Sequence, residues 1–166
     1  MATSNNLQEA FAGESQANRK YTVFAKKAET DGFPQVAKLF RAAAAAETVH
    51  ALAHFRVMGG VKTTAENVQA ASAGEAHEFR NMYPGFVKEA EAEGNKPALV
   101  SFRNAMAVEE IHHNFYEEAL KSVKSGKDLV ATSIYVCDIC GNTVYGGAQD
   151  KCSVCGAPKA KFVEIK

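Results

Sequence analysis

The segment FRNAMAVEEIHHNFYEEAL, residues 102–120, decides how the chain is read. Taken at helical spacing its apolar stripe runs Phe102, Ala105, Met106, Glu109, His112, Tyr116 and Leu120, so a carboxylate and an imidazole stand where leucines belong. Working outward, three further stripes break the same way. The first runs Leu7, Phe11, Glu14, Asn18, Tyr21, Ala25; the second Val36, Phe40, Ala43, Glu47, His50, His54, Val57; the third Val68, Ala71, Glu75, Glu78, Met82, Phe86. Punctuation places the helices at about 4–30, 34–58, 64–93 and 96–124. Asp31-Gly32, Gly59-Gly60 and Gly94-Asn95 end the first three, while Pro34 and Pro97 occupy tolerated first-turn positions. Pro84 falls inside the third helix, where its missing amide predicts a kink rather than a stop, because the apolar pattern continues through Phe86. Four helices of this length predict a bundle.

A single ionised carboxylate in a bundle core costs several kcal/mol unless compensated, so five converging at one level demand a cation. The bland alternative turns each glutamate to solvent, but four separate helices would all need the same roll at the same height. Glu47-x-x-His50 and Glu109-x-x-His112 each put carboxylate and imidazole on one face. With glutamates from the other two helices this is the di-metal arrangement of ferritin-like bundles. Oxygen-rich ligation with imidazole suits iron or manganese better than zinc. The third helix offers two carboxylates, Glu75 and Glu78, making five glutamates and two histidines. Five carboxylates leave the same formal charge on two ferrous ions as on two ferric ions with an oxo bridge, which eases redox cycling, and an excess ligand permits exchange.

Near Ser125-Gly126-Lys127-Asp128 the helical period stops and ATSIYVCDICGNTVYGG begins, short and β-branched with turn residues. Cys137-x-x-Cys140 and Cys152-x-x-Cys155, eleven residues apart, predict a four-thiolate metal knuckle. Spacing alone leaves a structural zinc ribbon open beside iron, and neighbouring redox chemistry favours one-electron iron.

Composition narrows the function. The chain has 166 residues, 19 basic against 19 acidic, 46% hydrophobic and no tryptophan. Zero net charge excludes a collector of phosphates, so no nucleic acid is expected. No apolar run approaches the roughly 20 residues of a membrane span, and MATSNNLQEAF lacks the pattern of a signal peptide, which predicts a cytoplasmic protein with no membrane partner. Two disulfides are disfavoured in that compartment.

The chain resembles the rubrerythrins over nearly its whole length, through FAGESQA around Glu14, ETVHA from Glu47, GEAHEFRNMYPGF from Gly74, VEEIHH around Glu109, and YVCDICG with CSVCGAPK in the tail. The resemblance implies a mainly α protein, a ferritin-like di-iron four-helix bundle over 1–128 followed by a small β-rich rubredoxin-like metal domain with a four-cysteine iron site over 129–166. It implies a non-haem di-iron peroxidase that reduces hydrogen peroxide to water in oxidative-stress protection. Electrons would come through the four-cysteine iron from a soluble donor, a rubredoxin, a ferredoxin or an NAD(P)H-dependent reductase. The implied di-iron ligands are Glu14, Glu47, Glu75, Glu78, Glu109 and His112. His50 would trade with Glu78 on one iron, and Tyr21 and Tyr83 would be active-site tyrosines. The competing expectation is a ferroxidase or iron-storage relative, which the extra Glu78 and the thiolate tail disfavour.

Other residues read more plainly. His54 lacks a matching glutamate and is expected as a hydrogen-bonded core histidine, His77 and His113 as solvated, and Tyr116 as packing. Met58, Met82 and Met106 are core filler, and Gly59-Gly60 and Gly146-Gly147 are turns with no dinucleotide-binding unit around them. One connection is short: in a ferritin-like bundle the second and third helices run parallel, and a helix of 24 residues spans roughly 36 Å, needing at least about 10 extended residues to cross back. Only Gly59 to Thr63 are available, which predicts a homodimer with swapped helix pairs.

Overall fold

The computed structural model describes residues 2–166. Helix α1 covers Ala2–Thr30, α2 Pro34–Val57, α3 Thr64–His77, α4 Tyr83–Ala92 and α5 Lys96–Lys124, with a π-helical turn, Glu78–Met82, joining α3 to α4. Three short strands follow: β1 Ile134–Cys137, β2 Thr143–Tyr145 and β3 Phe162–Ile165. The mainly helical class with a small cysteine-bearing sheet agrees with the sequence expectation. Among the described residues no helix is long and apolar enough to cross a membrane.

The chain divides into two compact units, Met1–Lys62 and Thr63–Lys166. The first is an antiparallel hairpin of α1 and α2. Small residues let these helices approach closely, Ala25 and Ala28 on one and Ala37, Ala44 and Ala51 on the other being buried. Buried Asn18 pins the pair, its amide donating to Ala44 O at 2.6 Å and to Thr48 Oγ1 at 2.8 Å, and Phe11 stacks on Phe55 at 5.1 Å. Helix α2 ends in a glycine-dependent stop: Gly59 takes φ +69° and donates to Arg56 O, and Gly60 donates to Phe55 O.

In the second unit α3 starts at a capping box, Thr63 Oγ1 accepting from Glu66 N–H at 3.3 Å and the Glu66 carboxylate from Thr63 N–H at 3.1 Å. Helices α3 and α4 pack along α5. Where Pro84 predicts a kink, the chain widens into the π-turn, in which Tyr83 N–H reaches the Glu78 carbonyl five residues back. A proline has no N–H to lose, so the wider turn accommodates it without ending the helical run.

The sheet has strand order β2-β1-β3, antiparallel throughout, with Tyr135 opposite Val144 on one side and Glu164 on the other. Its small core is Cys137, Cys152 and Phe162. Strand β2 packs against α5: Phe115 and Tyr145 stack at 4.2 Å, and a Cβ on Gly141 would lie 3.6 Å from Val108.

Candidate metal centres

Each unit contributes one carboxylate–imidazole group. On the α1–α2 hairpin, Glu14, Glu47 and His50 bring ligand atoms within 4.8 Å of one another. His50 Nδ1 lies 3.1 Å from Glu47 Oε2 and 3.7 Å from Glu14 Oε1, as the three-residue spacing on α2 dictates. Hydrogen bonding to Glu47, with desolvation, raises the Glu14 carboxyl above its ordinary value, and that bond together with His50 lowers Glu47.

In the second unit Glu75, Glu109 and His112 form the matching group, also within 4.8 Å. His112 Nδ1 stands 2.9 Å from Glu109 Oε2 and 3.9 Å from Glu75 Oε1. Burial, then the charge of Glu109, pushes the Glu75 carboxyl up to about 7. Glu78 lies on the π-turn and outside the three-residue group, yet burial and Glu109 raise it too. Burial, followed by the charges of Glu78, Glu109 and Glu75, raises the Tyr83 phenol. Its ring meets Phe86 and Phe102. Tyr21, in the hairpin, meets Phe24 and Phe40.

The other face of His112 touches the sheet. His112 Nε2 is 2.9 Å from Thr143 Oγ1 on β2, and a cavity of about 300 Å³ opens beside them, lined by Glu75, Phe115, Tyr116, Ile134 and Tyr145. Tyr116 therefore lines a cavity with its ring partly exposed, where packing alone was expected.

Cys137, Cys140, Cys152 and Cys155 converge with all four sulfurs within 4.8 Å. The Cys137–Cys155 and Cys140–Cys152 sulfurs are 3.7 and 3.6 Å apart, far beyond the roughly 2.05 Å of a disulfide and suited to one tetrahedral ion. Burial pushes the Cys140 thiol up. At Cys152 burial acts the same way, but the N–H groups of Cys155 and Val154 and the Asn142 amide outweigh it and bring the thiol down to about 6.

His77 is exposed, as expected, whereas His113 is half-buried and held by partners on α3. Its Nδ1 lies 3.0 Å from Ser72 O, and the buried Ser72 hydroxyl donates to Glu117. The cause is that α5 presents two faces to α3, one with His112 and one with His113, so the residue beside a ligand is also covered. Ser72 and Glu117 carry no sequence signal beyond an ordinary polar helix face.

A family model for rubrerythrin matches residues 5–120. Rubrerythrin-2 of Clostridium acetobutylicum is 32% identical, with 96% of this chain and 95% of that protein aligned. The rubrerythrin of Porphyromonas gingivalis is 35% identical over 99% of this chain and 90% of its own. Among solved structures, the fully reduced, all-ferrous state of nigerythrin has a TM-score of 0.58 at 32% identity, covering 98% of this chain and 86% of that one. Rubrerythrins are di-iron oxidoreductases of the oxidative-stress defence that also carry a rubredoxin-like iron site. The glutamate–histidine groups and the four-cysteine knuckle are the donors such cofactors need, and with the matches above they make this chain a member of the rubrerythrin family.

Proposed function

We propose that the chain is a cytoplasmic peroxidase that reduces hydrogen peroxide to water at a di-iron centre. Its electrons pass through iron held by Cys137, Cys140, Cys152 and Cys155, supplied by a soluble rubredoxin, ferredoxin or NAD(P)H-dependent reductase. The observation that carries this reading is that one compact unit holds both the Glu75/Glu109/His112 group and the four cysteines, with a residue of the cysteine sheet touching the histidine.

The donors fit iron, since each glutamate–histidine group offers three atoms of mixed oxygen and nitrogen character. Three donors are half of an ordinary di-iron complement, so the group of Glu14, Glu47 and His50 is assigned to face that of Glu75, Glu109 and His112, with Glu78 as the additional carboxylate. The helices of both units, within residues 1–128, then make one ferritin-like bundle domain, and 129–166 the rubredoxin-like domain.

The two halves are assigned to different copies of the chain. Between α2 and α3 only residues 58–63 lie outside the helices, and both ends of this connection are fixed, by the Gly59 stop and by the Thr63 capping box. The hairpin also leaves Phe24, Leu39, Val49 and Leu52 exposed, an apolar surface that a second copy would cover.

Bound in these groups, a ferrous pair supplies the two electrons that break the O–O bond, and iron in the four thiolates restores them singly. The protein's own residues bind, orient and protonate. Glu47 and Glu109 would be the carboxylates shared by the two ions, while Glu14 with Glu78 or His50 would hold one of them and Glu75 with His112 the other. Reduction of peroxide to two waters consumes two protons. Tyr83 and Glu78, whose phenol and carboxyl are both raised chiefly by burial, are the groups assigned to supply them. Tyr21 is assigned the corresponding place beside the hairpin half. Glu78 and His50 are the pair that exchanges as the charge of the centre changes.

The test is anaerobic stopped-flow on full-length, iron-loaded protein. Its reduced centre should be oxidised much faster by hydrogen peroxide than by oxygen. Equal or faster oxidation by oxygen, with many irons accumulating per chain, would instead establish a ferroxidase.

A further inference from the structure

Thr143 is joined to both metal groups. Its Oγ1 lies 2.9 Å from His112 Nε2, and its hydroxyl donates to the Gly141 carbonyl at 3.2 Å. A hydroxyl has one proton to give. With that proton on Gly141, the oxygen is left to accept, so His112 Nε2 carries a hydrogen and donates it. Nδ1, on the side of Glu109 and Glu75, is then the atom a cation meets. The Thr143 position is set in turn by the cysteine knuckle. Gly141 follows Cys140, donates from its N–H to Cys137 O at 2.9 Å, and sits with φ +86° against Val108, one turn before His112.

We propose that Thr143 is a positioning residue for the di-iron site. Through it the folded cysteine knuckle fixes the tautomer and the ring orientation of His112 on α5. A ligand histidine whose remote N–H is held by an oxygen binds metal more tightly and in one orientation, and loss of such a partner typically costs about 10- to 100-fold in metal affinity. No other described contact to Nε2 is present to replace it. The inference rests on His112 being an iron ligand, and it goes beyond that reading by making the second metal domain part of the support of the first site.

The experiment uses full-length protein and three chains: parent, Thr143→Val and Thr143→Ser. Anaerobic ferrous titration against a competing chelator should show a loss of about 10- to 100-fold in affinity at the glutamate–histidine site for Thr143→Val, with Thr143→Ser restored to within about threefold of the parent. In zinc-loaded parent protein, nitrogen-15 NMR should show His112 bound through Nδ1 with a slowly exchanging Nε2 proton. That proton should exchange fast in Thr143→Val. Unchanged affinity in Thr143→Val, or equal losses in both variants, overturns the proposal. Coordination through Nε2 in the parent overturns it without any variant needing to fold. A parent that takes up iron only at its cysteines would overturn the di-iron reading as well, whereas normal uptake in all three chains would overturn the role of Thr143 alone.

Discussion

Lengthening the connection between α2 and α3 should turn a dimer into a monomer. Helix α2 has 24 residues and is therefore about 36 Å long, while the six residues 58–63 reach only roughly 20–25 Å when extended. In a bundle whose second and third helices are parallel, one chain falls short by on the order of 10–15 Å. Twelve Gly/Ser residues inserted between Gly60 and Val61 would remove the deficit at a loop-entropy cost of about 1 kcal/mol. A flexible tether of that length gives an effective concentration of order 1 mM. At about 10 µM protein the two halves should then pair within one chain by roughly 100-fold over pairing between chains. Light scattering after size-exclusion chromatography of iron-loaded protein reads the outcome. The parent should run at twice its 17.8 kDa chain mass and the insertion variant at one chain mass, both with full iron. A second topology competes with the swap. Glu47 lies ten residues before the end of α2 and Glu75 eleven after the start of α3, so an all-antiparallel bundle would also bring them level through the short turn. That molecule is a monomer before any insertion. A monomeric, fully loaded parent would therefore refute the swap.

Two further outcomes concern the titrating groups. In metal-free protein Glu75 has its folded pKa raised to about 7, so the native state binds its proton more tightly than the unfolded chain, and stability should fall as pH rises from about 4.5 to about 7. The full shift corresponds to roughly 3 kcal/mol, reduced by solvent screening of a partly exposed carboxyl to about 1–2 kcal/mol. Because the Glu14 and Glu78 carboxyls are raised as well, urea denaturation at a series of pH values should show a steeper slope in the parent than in Glu75→Gln, and equal slopes in both would assign it elsewhere. Cys152→Ser removes the thiol already lowered to about 6 and one corner of the tetrahedron. It should abolish the visible absorption of the cysteinyl iron and donor-driven peroxide turnover, while a single oxidation of pre-reduced protein by peroxide survives. Intact donor-driven turnover would place the relay elsewhere.

Much of this architecture is legible in the chain because its signals are local. The helix ends rest on Gly59, Gly94, Thr63 and proline placement, all of which act within a few residues. Glu47 with His50 and Glu109 with His112 meet because three residues is nearly one helical turn, and the four cysteines meet because each pair closes its own knuckle. What escaped depends on distant partners. His113 reads as a solvent-facing neighbour of a ligand until α3 supplies the Ser72 carbonyl, and Thr143 reads as one β-branched residue among several until β2 lies on α5. The π-turn escaped for a different reason. EFRNM has an ordinary helical pattern, and only Pro84 beyond it marks a disturbance.

That turn bears on why Glu78 differs from Glu75. Glu78 keeps the α spacing to Glu75, its N–H bonding to the Gly74 carbonyl four residues back, yet only Glu75 joins the group of Glu109 and His112, and the helix widens directly after Glu78. Burial first, and then the charge of Glu109, raises the Glu78 carboxyl, although Glu78 is not one of the three grouped residues. A π-turn is a single widened turn inside an otherwise regular helix, and its hydrogen bonds have a close α-helical alternative one residue away. Glu78 thus opens the widened turn, while Glu75 sits on regular helix. A carboxylate that must enter and leave a metal as its charge changes needs such a mounting, and one that must stay needs the opposite. The proposed exchange of Glu78 with His50 thus has a backbone basis in this chain, separate from the count of available ligands.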